Sequence, residues 1–121
     1  MTGGESPRWY ERAFYRVAYA EQDRPRLALA DGAWGVVVDC SESGVRYRPD
    51  PRRAPPAFGT IVEGRVEFRA GRPTEIAGRV IRVARGEVAL YLAPPGIPLR
   101  VLFAEQRALR ARYPMGGGGG G

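Results

Sequence analysis

The chain has 121 residues, enough for one compact core and too few for two. Its formal net charge is +6 and all nineteen basic residues are arginine, so the surface favours an anionic partner, gripped by planar forks that meet phosphate oxygens or guanine edges two atoms at a time. Histidine is absent and Cys40 is the single cysteine, which excludes an intrachain disulfide, leaves zinc no plausible ligand set and removes the commonest general base.

Residues 1–10 are poor in packing groups and read as a flexible tail, and the leading Met1-Thr2-Gly3-Gly4-Glu5 lacks the basic-then-apolar pattern of a secretion signal. No run approaches the roughly 20 apolar residues of a membrane span, so a cytoplasmic protein without membrane insertion is expected. Residues 11–26 form a leading segment that carries Arg12 and Arg16, and the strands begin at Leu27. Leu27–Ala30 is followed by Asp31-Gly32, a hairpin signal. In 34–41 the alternation sets Trp34, Val36, Val38 and Cys40 on a face suited to a core, against Val37, Asp39 and Ser41 on the other. Beyond Gly44, Val45 and Tyr47 continue inward while Arg46 and Arg48 point out, until the proline-rich segment 49–56 makes a loop. From Thr60 to Arg69 the inward set is Val62, Gly64, Val66 and Phe68, and Gly71 and Pro73 make the next turn. The strand 75–84 begins with Ile76 and Val80 in phase and shifts at Ile81 and Val83, which suggests a bulge; Gly86 ends it, and 87–93 turns Val88, Leu90 and Leu92 inward. A helix over 97–113 follows, with Pro98 in its first turn, Leu99, Leu102, Phe103 and Leu109 along one stripe, Glu105 and Gln106 beside it, and Pro114 as its stop. Residues 114–121 are a glycine-rich tail, expected to be disordered. The fold class is therefore all-β, a six-stranded antiparallel barrel over 27–93 with a C-terminal α-helix as a lid.

Two short elements carry the functional argument: Arg12-Ala13-Phe14-Tyr15-Arg16 ahead of the barrel, and Asp39-Cys40-Ser41-Glu42-Ser43-Gly44 at a strand end. About three Arg-x-x-x-Arg pairs are expected by chance at this composition, and four occur, so that motif alone says little. The Asp-x-Ser-x-x-Gly pattern is expected in roughly one in a hundred chains of this composition and is the stronger half. Together, and in this order, they resemble the RxxxR and D/NxSxxG signatures of the PilZ family; the likeness extends over residues 11–113, through the Gly78 to Val80 rhythm, the strand 88–92 and the closing helix. The resemblance implies a PilZ-type barrel that binds the second messenger cyclic di-GMP through Arg12, Arg16, Asp39, Ser41 and Gly44, needs no cofactor or metal, catalyses nothing, and passes its signal to an unidentified downstream protein, as a monomer or a ligand-dependent dimer.

The residue chemistry agrees with that implication. Arginine forks meet phosphates or guanine O6 and N7, a carboxylate such as Asp39 accepts the N–H groups of the guanine Watson–Crick edge, Ser41 on the same strand face adds a hydroxyl, and Gly44 allows a positive φ or a close approach of ligand to backbone. Arg46 and Arg48 face the same side and extend the site. The expected mechanism is a disorder-to-order step in which the leading segment folds over the barrel on binding. Two alternatives use the same residues: a single-stranded nucleic-acid-binding barrel of OB type, and a PilZ-like scaffold that acts through protein contacts alone, with Asp39 and Ser41 as turn formers. DNA is not an expected partner, Cys40 reads as an apolar filler, and Trp34 and Tyr47 read as core.

Overall fold

The computed structural model describes residues 15–113. In chain order these form β1 (Val17–Ala18), a single 3-10 turn (Glu21–Asp23), β2 (Arg26–Leu29), β3 (Trp34–Cys40), β4 (Gly44–Pro49), β5 (Ile61–Glu67), β6 (Thr74–Ala84), β7 (Glu87–Leu92) and α1 (Leu99–Arg112). Hydrogen bonding runs β3-β2-β5-β6-β7-β4 and returns from β4 to β3, closing a six-stranded antiparallel barrel with no open edge among those strands. β1 adds two residues on β3, Val17 opposite Cys40 and Ala18 opposite Asp39, beyond the point where β2 leaves it. Thus part of the leading segment 11–26 belongs to the sheet.

Alternation placed most of the core. Val45 and Tyr47 of β4, Val62 and Val66 of β5, and Val88, Leu90 and Leu92 of β7 are all buried, together with Val17, Leu27, Val80, Ile97 and Leu102. The β6–β7 turn is made by Arg85 and Gly86 at φ 59° and 77°, the paired left-handed conformation whose twist suits a two-residue hairpin.

Two strands depart from simple alternation. In β3 the residues that join the core cluster are Val37 and Cys40; Trp34 and Val36 are only half-buried, and Val38, though buried, stands outside that cluster, because a register shift between Val37 and Asp39 inserts it as a bulge and reverses the phase. Trp34 is consequently not core: its ring is half-buried on the outer wall with the Arg26 guanidinium 5.4 Å from its centroid. In β6 a second bulge falls between Val80 and Arg82, as the pattern suggested, but Ile81 and Val83 emerge on the outside.

The helix stripe is also different from the expected one. Leu102 and Leu109 are buried, whereas Leu99 and Phe103 are substantially exposed, and the residue that completes the inner face is Glu105, at 0% exposure. Its carboxyl group accepts hydrogen bonds from the Tyr19 hydroxyl at 2.6 Å and the Ala70 backbone N–H at 2.6 Å, partners that make burial of the group tolerable.

The turn between β7 and α1 is fixed by backbone. The Leu92 N–H donates to the Ser43 carbonyl at 2.8 Å and the Ile97 N–H to the Glu42 carbonyl at 3.0 Å, so this turn grips the 41–44 turn. Gly96 makes the grip possible: it sits at φ +67°, and a Cβ there would lie 2.0 Å from the Glu42 carbonyl oxygen. Gly96→Ala is expected to cost at least about 2 kcal/mol through left-handed strain and backbone displacement together, read as a lowered midpoint in urea unfolding.

Candidate functional site

The bulge at Val38 determines what the end of β3 displays. With the phase reversed, Cys40 turns into the barrel and Asp39 turns out, opposite Arg46 of β4 and beside Ala18 of β1. Although it lies on the outer wall, Asp39 is only 4% exposed, because two arginines cover it. Arg16 Nη1 donates to Asp39 Oδ1 at 2.8 Å from one side, and Arg46 Nη2 donates to Asp39 Oδ2 from the other. Arg46 continues to Glu87 with Nη1 3.4 Å from Oε1, and Glu87 is 3.9 Å from Arg48 Nε through its other oxygen. Charge thus alternates from Arg16 through Asp39, Arg46 and Glu87 to Arg48. A carboxylate so nearly removed from water requires such cationic donors.

Arg16, Asp39, Gly44 and Arg46 line one open groove of about 440 Å³, floored by Ile81 and Ala89. Each arginine keeps roughly half its side chain in solvent while holding Asp39, so each has donor atoms to spare. Ser41, the residue after β3, is 2% exposed and does not line this groove; its backbone N–H closes the turn onto the Gly44 carbonyl at 2.8 Å. Gly44 is in ordinary extended conformation and uses no positive φ, and a Cβ there would meet Ser41 Oγ at 3.4 Å and the Leu90 carbonyl at 3.6 Å. Arg48 is not part of this groove: it lines a neighbouring one beyond Glu87. Arg12 lies outside the described residues.

The leading segment from Tyr15 onward is anchored along its length. Tyr15 packs edge-on against Phe103, ring centroids 4.9 Å apart; Tyr19 donates to Glu105; and Asp23, buried, receives Arg112 Nε at 2.7 Å, Arg69 Nη2 at 3.3 Å and the Tyr113 hydroxyl. Residues 15–23 therefore form a strap that runs from the Asp39 groove along α1, from Phe103 to its C-terminal end, and the loose state expected for the whole of 11–26 does not extend to them. Sequence reasoning missed Glu105, Asp23 and Gly96; only Gly96, after Pro94-Pro95, carried a local signal.

No family model and no curated protein matches this chain. Among solved structures it is similar to the PilZ domain of CeSA from a cellulose synthesizing bacterium, at 24% identity and a TM-score of 0.49, over 78% of this chain and 93% of that one. The topology of this chain, six antiparallel strands closed into a barrel and followed by one helix, is the architecture expected from the sequence. Among the described residues no helix is long and apolar enough to cross a membrane, and no cluster of metal-ligating side chains occurs.

Within the barrel, burial holds three acidic protons in place. The Cys40 thiol is pushed up to about 12, first by burial and then by the charges of Glu105 and Asp39; the Tyr47 hydroxyl is pushed up to about 12 by burial and by Asp31; and the Tyr19 hydroxyl is raised by burial, then by Cys40 and Glu105. The unfolded chain releases these protons at lower pH than the folded one. Their contribution to stability is thus complete below the ordinary thiol value of 9.0 and is lost as pH rises toward about 12. Denaturant midpoints are expected to fall steadily across that window, Cys40→Ala should flatten part of the fall, and native Cys40 should resist thiol reagents until the chain unfolds.

Proposed function

We propose that this chain is a receptor for cyclic di-GMP that binds the dinucleotide at the Asp39 groove and relays its presence through α1. The observation that carries the reading is the sharing of one nearly buried carboxylate between two arginines, Arg16 just ahead of β1 and Arg46 of β4, each with solvent-facing donors, at the mouth of an open groove. Guanine and phosphate are the ligand groups that both halves of this arrangement suit. Arginine forks take the phosphates or the guanine O6 and N7 edge, and a carboxylate released by them accepts the guanine N1–H and N2–H.

Binding then exchanges partners at Asp39. Arg16 and Arg46 turn from the carboxylate to the ligand, Arg12 adds a third fork, and Asp39 turns to the guanine edge. Because the charges are already paired, the ligand replaces ion pairs with ion pairs and strips little water from bare charges. Ser41 acts from below by fixing the turn, and Gly44 keeps the groove wall open. Arg48 stands outside this set, separated from it by Glu87.

The same strap supplies a route outward. Arg16 lies between Tyr15, which contacts Phe103, and Val17, which is locked in the core, so a change at Arg16 is felt at α1 within one residue. The exposed side of α1 around Phe103 is the surface through which a downstream protein would read the ligand. No bond-making chemistry is required of any residue.

Titration calorimetry with cyclic di-GMP tests the assignment residue by residue. Arg12→Ala and Arg16→Ala should each weaken binding by about 1–3 kcal/mol, the range for losing a bidentate guanine contact. Gly44→Ala, which the fold accommodates, should also weaken it by placing a methyl group in the groove. Wild-type affinity in all three variants overturns the reading.

A further inference from the structure

A second groove lies on the far side of Glu87 from Asp39, about 760 Å³ in volume, between the loop after β4 and the β6–β7 turn. Four arginines line it: Arg24, Arg48, Arg53 and Arg85. Arg48 is committed to Glu87, but Arg24, Arg53 and Arg85 have no carboxylate within ion-pair distance among the described residues. The acidic residues on the same walls do not answer them. Asp50 is taken by Arg52, with Nε 3.1 Å from Oδ1, Glu87 by Arg46 and Arg48, and Glu21 alone remains.

Arg24 is the most telling of the four. Its Nε is sealed from solvent and has no hydrogen-bond acceptor among the described residues, so its guanidinium stands at the groove with no protein partner. The chain holds it there by local geometry, since Asp23 immediately before it is pinned by Arg69 and Arg112. The remaining wall is apolar and flat: Trp34, carrying Arg26 at 5.4 Å from its ring centroid, with Val36, Val83 and prolines of the loop. A groove of this size, with a planar aromatic wall and three uncommitted guanidinium groups, suits a ligand that combines a flat ring with phosphate.

We infer that this groove is a second binding site, distinct from the Asp39 groove, for a nucleoside phosphate whose phosphate groups meet Arg24, Arg53 and Arg85 and whose base lies along the Trp34 wall. The inference stands on these residues alone and does not depend on the cyclic di-GMP assignment. Selectivity for a ringed phosphate over a bare anion follows from the apolar half of the lining, and selectivity over an uncharged nucleoside follows from the arginines.

ADP, adenosine and pyrophosphate are the probes, titrated against the full chain with binding followed by nuclear magnetic resonance of the Trp34 indole N–H and the Gly86 amide. ADP should shift both signals saturably, and more tightly than adenosine or pyrophosphate. Arg24→Ala and Arg85→Ala should each lower ADP affinity about ten-fold, as loss of a charged hydrogen bond does. Equal binding of pyrophosphate means an anion patch only and overturns the inference. So do equal binding of adenosine, shifts that map to the Asp39 groove instead, and undiminished ADP binding in both variants. Failure of ADP to bind leaves the response of Arg16→Ala to cyclic di-GMP unaffected, so the two readings fail separately.

Discussion

A carboxylate can be held out of water on the wall of a small barrel only where cations come to it, and Asp39 makes that demand on three parts of the chain at once. β4 must supply Arg46 directly opposite, β1 must lie alongside so that Arg16 reaches across, and β3 must bulge at Val38 so that the carboxylate faces out while Cys40 faces in. Each requirement is met by a different stretch of sequence. The groove is the place where they coincide.

The same economy extends along the strap. Tyr19 and Asp23 carry polar groups into regions closed to water, and each is answered from the distant end of the chain, by Glu105 and by Arg112. These buried polar links specify one seating of α1 on the barrel, since sliding the helix by a residue would leave Glu105, Tyr19 and Asp23 unpaired at the cost of several unsatisfied groups. In the proposed reading, these links are what carry a disturbance at Arg16 to α1.

Sequence reasoning recovered the barrel because the inward positions of β4 and β5 alternate with charged residues that mark the phase, and β7 opens on Glu87 before its inward Val88, Leu90 and Leu92. β3 offered no such mark: Val36, Val37 and Val38 are all apolar, so nothing local shows which one is extra, and Trp34 was drawn to the wrong face. Asp39 was nevertheless placed outward, since the error of phase lies wholly on the N-terminal side of the bulge. Glu105 was illegible for a different reason. A glutamate on a helix reads as solvated, and the hydroxyl that permits its burial is 86 residues away. Depth was hidden as well: alternation put Ser41 on the outer face, but the turn around it buries it, through Gly44 and the Gly96 turn that grips Glu42.

The central claim is that cyclic di-GMP acts by taking Arg16 and Arg46 away from Asp39. Nuclear magnetic resonance of the arginine Nε–H groups and of the Asp39 side-chain carboxyl carbon, recorded before and after saturation with cyclic di-GMP, addresses it directly. Displacement of the Arg16, Arg46 and Asp39 signals together, in proportion to bound ligand, is the result the account predicts. If the dinucleotide saturates the protein while those three signals stay where they were, or does not bind at all, the account is contradicted.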